Sequence, residues 1–71
     1  MRGNEFIRKV QRLARMRGLA CHVNAERGKG SHVTLYFGNV FTVVRNPKDE
    51  LKKGTLHAML KQLGLTEQNL P

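Results

Sequence analysis

The chain has 71 residues, with thirteen Lys+Arg against five Asp+Glu and a formal net charge of +8. A chain of that size buries only ~60% of the surface its unfolded form exposes, so it holds one small core and excludes separate cofactor and substrate domains. The charge favours a polyanion through counterion release, which makes nucleic acid the first candidate partner and an acidic protein another, while a single cysteine, Cys21, rules out an internal disulfide framework and fits a reducing compartment.

Residues 4–17 are expected to form a helix. Phe6, Ile7, Val10, Leu13 and Ala14 fall on one stripe at helical spacing, with Arg8, Lys9, Arg12 and Arg15 on the wet side. Asn4 is the expected N-cap, and Gly18 follows the last turn, where Arg15 and Arg17 suit the negative pole of the helix dipole. Met16 is expected to fill core, as is Met59. Residues 19–25 form a first strand with weak alternation. His22 on it either pairs across the sheet or sits exposed, and Cys21 is a small, partly buried strand residue.

Residues 27–31 form a basic, Gly-rich turn, in which Gly28, Lys29, Gly30 and Ser31 lead into His32. Glycines admit a ligand close to the backbone, lysine attracts phosphate, and a strand-held imidazole can move protons near neutral pH. Residues 32–37 alternate cleanly as a second strand. Gly38-Asn39 is a two-residue hairpin signal of type II′, and residues 40–45 return as a third strand. A two-residue loop fixes the register. Phe37, Leu35 and Val33 then oppose Val40, Thr42 and Val44 on an apolar face. Tyr36, Thr34 and His32 oppose Phe41, Val43 and Arg45 on the other. Histidine and arginine are thereby set side by side on a face open to ligand. Tyr36 and Phe41 there either stack on bases or form a protein docking surface.

Asn46-Pro47-Lys48-Asp49 breaks the strand. Leu56, Met59, Leu60 and Leu63 mark a last helix opened by Lys52, Lys53 and Gly54 and ended by Gly64. Free amides, the dipole and two ammonium groups make its start a candidate phosphate grip across an RNA minor groove. His57 is read as a solvated helix residue, and Leu65 as packing back at the head of a tail beginning near residue 66. The fold class is α+β: one domain spanning residues 1–71, ordered α-β-β-β-α, with two helices on one face of a three-stranded antiparallel sheet. The N-terminus has no signal-peptide core, and no apolar run approaches the ~20 residues of a membrane span, so a soluble, cytoplasmic protein is expected. The carboxylates are scattered, and the histidines and Cys21 lack zinc spacing, so neither a metal nor another cofactor is expected.

The element order resembles a double-stranded-RNA-binding domain. The sequence words Gly30-Ser31-His32, then Leu51-Lys52-Lys53-Gly54-Thr55-Leu56, then Leu60-Lys61-Gln62-Leu63-Gly64-Leu65 resemble more closely the HicA family, the small toxin half of toxin–antitoxin pairs. The likeness covers roughly residues 4–65. It departs from the family pattern at Val33 and Asn46, where family members often carry further histidines. The resemblance implies an mRNA interferase, an endoribonuclease that halts translation and is silenced by a HicB-type antitoxin, with the catalytic histidine at His32. Cleavage by the RNA's own 2′-hydroxyl needs a base, an acid and cations at the phosphate. His32 is then the general base or acid, Lys29 and Arg45 the cations, and Gly28, Gly30, Ser31, Lys52, Lys53 and Gly54 the backbone grip. The expected products are a 2′,3′-cyclic phosphate and a 5′-hydroxyl. A non-catalytic double-stranded-RNA-binding module is the alternative reading.

Overall fold

The computed structural model describes residues 1–25 and 32–71. Helix α1 runs Gly3–Arg17, followed by strands β1 (Cys21–Ala25), β2 (His32–Phe37) and β3 (Val40–Arg45). Helix α2 (Lys53–Gln62) and a short 3-10 turn (Glu67–Asn69) complete the chain. The sheet is antiparallel in the order β1-β2-β3. The α+β class and the α-β-β-β-α order are therefore as read from the sequence.

Helix α1 starts one residue earlier than its sequence suggests, and Asn4 does not cap it. Arg2 is the N-cap, and its side chain caps nothing. The first free amides find carbonyls far along the chain instead. Gly3 N–H donates to Asp49 O at 3.1 Å and Asn4 N–H to Pro47 O at 2.7 Å. The Arg2 guanidinium donates to Lys48 O, and Leu51 N–H donates to Met1 O. Residues 1–4 thus clasp the loop that delivers the start of α2. That loop turns at Asn46, which takes the left-handed conformation (φ 48°) that a short amide side chain tolerates.

Both helices end in the same way. Gly18 (φ 67°) closes α1, with Gly18 N–H bonded to Arg15 O and Leu19 N–H to Ala14 O. Leu19 is thereby committed to the helix end, which is why β1 begins at Cys21 rather than at residue 19. Gly64 (φ 72°) closes α2, and the following Leu65 packs into the core. In the β2–β3 hairpin Gly38 has φ 61° while Asn39 stays at negative φ, the type II′ geometry that glycine in first place calls for.

The core lies between the helices and one sheet face. Phe6, Val10, Leu13 and Ala14 of α1 meet Leu35, Phe37 and Val44 of the sheet and Leu56, Met59, Leu60 and Leu63 of α2. Helix α1 covers β1 and β2, and α2 covers β3. Thr42 points into this layer and is buried, and its hydroxyl donates to the Gln62 amide oxygen of α2. Met16 does not join the core. It is 70% exposed on the last turn of α1, where nothing packs over it. On β1 only Cys21 touches the core, and residues 22–25 are exposed.

Candidate nucleic-acid interface

The hairpin register matches the expectation at every pair. His32 stands opposite Arg45, Thr34 opposite Val43, and Tyr36 opposite Phe41, all on the face without helices. His32 is half-buried at the head of β2, and Arg45 is exposed at the end of β3. Strand β1 extends each row, placing His22 beside Tyr36 and Asn24 beside Thr34. The His22 and Tyr36 rings stack with centroids 4.5 Å apart and planes 18° apart, and Phe41 lies 5.8 Å further on, tilted by 42°. A ladder of three rings therefore crosses the whole sheet, two rows from His32.

Beyond Phe41 the surface drops into a groove of about 930 Å³ between β3 and α2. Phe41, Val43 and Arg45 line one side of it, and Gly54, Thr55, Ala58 and Gln62 line the other. Arg45 thus belongs both to the row of His32 and to the groove that reaches the first turn of α2. Lys52 is the N-cap of α2, Lys53 and Gly54 are its first residues, all three are exposed, and no acidic residue sits in the first turn. The first turn of α2 thus has two lysines at its start and no carboxylate, the charge balance that favours an anion. The structure brings His32, Arg45 and Gly54 to one side of the molecule. Gly28, Lys29, Gly30 and Ser31 lie outside the described residues.

Among the described residues no lysine or arginine side chain is paired with a carboxylate. Arg8, Lys9 and Arg12 share a shallow surface with Glu5 on the outer side of α1, and this basic face is distinct from the sheet face. His57 is exposed on α2, and its Nε2 lies 2.7 Å from Glu67 Oε1, tying α2 to the 3-10 turn. The Cys21 thiol is pushed up by burial. Glu50 is held below the usual carboxylate range by its hydrogen bond from the Met1 amino group, with Arg2 adding to the effect. No described helix is long and apolar enough to cross a membrane.

The groove is the part of the surface that sequence reasoning missed. Alternation and turn length place Phe41, Val43 and Arg45 on one face, but they say nothing of how α2 sits against the edge of β3. Of the two readings of His22, the structure shows pairing across the sheet, with Tyr36 as the partner that the β1–β2 connection, having no register of its own, left unspecified.

A family model described as the HicA toxin of bacterial toxin–antitoxin systems matches residues 7–65. The chain belongs to the HicA family. The match runs from the first turns of α1 to the residue after the glycine that closes α2, so it spans β2, β3 and the start of α2 together. This HicA protein is the toxin of a toxin–antitoxin system and has an antitoxin as its partner. Searches of curated proteins and of solved structures found no match.

Proposed function

We propose that this HicA protein is a metal-independent endoribonuclease that cuts mRNA in the cytoplasm and is silenced by a HicB-type antitoxin. The observation that carries the reading is the direct cross-strand pairing of His32 with Arg45 on the helix-free face. A 2′-hydroxyl held near His32 loses its proton to the imidazole as its oxygen bonds to the adjacent phosphorus. The bond from phosphorus to the 5′-oxygen breaks, and the departing oxygen takes a proton from solvent water, to which the imidazolium then returns its own. The products are a 2′,3′-cyclic phosphate and a 5′-hydroxyl. Arg45, aided by Lys29, offsets the charge that builds on the phosphoryl oxygens, and Gly28, Gly30 and Ser31 bring the backbone close to it. Lys52, Lys53 and Gly54 hold a second phosphate at the start of α2. General acid–base help of this kind is worth typically ~10²–10⁴-fold, and positioned cations add to it.

The test is purified protein with RNA in excess chelator. Cleavage that His32→Ala abolishes while leaving binding intact supports the reading. Products carrying 5′-phosphate and 3′-hydroxyl ends would overturn the chemistry, as would cleavage that survives His32→Ala. Binding with no cleavage by the unaltered protein would make it an RNA-binding module.

A further inference from the structure

We propose that the groove between β3 and α2 binds an unpaired stretch of RNA, with one base stacked on Phe41 and the neighbouring phosphates held by Arg45 and the first turn of α2. The proposal rests on the reading of His32 as the cleavage centre, and it names the form of substrate that centre takes.

Phe41 is 56% exposed, an unusual position for a large apolar ring on a chain that hides its other two phenylalanines. Its back is supported. Tyr36 abuts it and is itself stacked on His22, so the ladder holds the Phe41 ring from one side and leaves its outer side toward the groove. A base added there meets a ring already supported by its neighbour, and any base has the π-face to stack on it. The same groove is also lined by Arg45 and by Gly54 and Thr55 of the first turn of α2, so a cation and a helix start share its walls with the ring.

The dimensions agree. Phe41 and Arg45 are four residues apart on one strand, about 13 Å at the rise of an antiparallel strand. Stacked nucleotides advance about 3.4 Å each along a strand, so the span holds no more than about four of them. A base on Phe41 is therefore fixed a few nucleotides from a phosphate at the His32–Arg45 pair. A duplex cannot use the platform, because its bases are already stacked and paired. A protein partner fits less well. Val43 is exposed beside Phe41, but the same row is polar at Asn24 and Thr34 and the strand ends at Arg45, and the chain as a whole carries +8, a field that favours a polyanion.

The experiment measures fluorescence anisotropy of fluorescein-labelled hexaadenylate with the full chain carrying His32→Ala, which separates binding from cleavage. Adding Phe41→Ala should weaken binding by about 5- to 150-fold, the range of one base stacked on an aromatic ring. Phe41→Trp should restore it. A fluorescein-labelled, G·C-rich RNA hairpin, whose bases stay paired, should respond little to either change. Because Phe41 is exposed, thermal melts should coincide across the series, and if Phe41→Ala does lower the melt, recovery of affinity in Phe41→Trp decides. The proposal falls if Phe41→Ala stays within about twofold of the parent, less than a stacking contact is worth. It falls equally if single strand and hairpin weaken alike, or if the substitution disturbs only antitoxin binding. If Phe41→Ala weakens binding as stated while His32→Ala leaves cleavage of longer RNA untouched, the groove stands and the catalytic reading fails.

Discussion

Replacing Gly3 by alanine sets two known effects against each other. Gly3 is the first residue of α1, where alanine would ordinarily gain up to ~1 kcal/mol over glycine in helix propensity. A Cβ there would lie 2.7 Å from Pro47 Cα, 3.0 Å from Pro47 O and 3.0 Å from Val44 Cγ1. Two of these atoms are backbone, and Pro47 O is held by Asn4 N–H, so the loop cannot yield without giving up a hydrogen bond. Overpacking of this kind costs typically ~1–3 kcal/mol. The steric cost exceeds the propensity gain, which is smallest at a helix end. A net loss of about 1–2 kcal/mol lowers Tm by about 5–15 °C in a domain of this size. Gly54→Ala is the internal control. Its Cβ would meet nothing within 4 Å, so no steric cost opposes the small propensity gain of a helix start and Tm does not fall. Thermal melts followed by circular dichroism read both variants. A Tm for Gly3→Ala equal to or above that of the parent would refute the argument, because it would mean that the clasp between residues 1–4 and the 46–51 loop does not constrain the helix.

Charge reversal at both Lys52 and Lys53 should weaken RNA binding and flatten its salt dependence. With the phosphate they hold no longer neutralised, the slope of log affinity against log salt should fall by about 0.7 for a single strand. An unchanged slope would show that these lysines touch no phosphate. Cys21 should alkylate more slowly in the folded protein than in the unfolded chain at neutral pH, because burial raises its pKa and lowers the thiolate fraction. The sign for stability follows. The neutral thiol is favoured in the fold, so its contribution is complete below the unfolded pKa and is lost as pH rises through the folded one. Equal alkylation rates in the two states would contradict the burial.

Local chemistry made most of this fold legible. The stripe from Phe6 to Ala14 specifies the buried side of α1. Gly38-Asn39 sets a turn that leaves one register open to the strands beside it, and that register alone puts His32 next to Arg45. What stayed hidden depends on distant parts of the chain. Asn4 has the right side chain for a cap, but carbonyls more than forty positions away reach the amides first. Leu19 reads as strand until the amide it contributes to closing α1 is counted. Met16 has the spacing of a core residue, yet the covering sheet does not extend under it. The groove beside Phe41 exists only because α2 packs on β3, and no periodicity within either element encodes that contact.

Strand β3 has a neighbour on one side only, and among the described residues nothing hydrogen-bonds along its outer margin. Bare margins of this kind invite a second chain to zip on, and many proteins blunt them with a bulge, a proline or a lid. Here the margin ends at Arg45 on a molecule carrying +8, so two copies repel before they can pair. That defence weakens as ionic strength rises and the Debye length shrinks from about 10 Å at 0.1 M to about 3 Å at 1 M. Concentrated brine, the usual means of stripping RNA from a cationic protein, therefore also removes what keeps its copies apart.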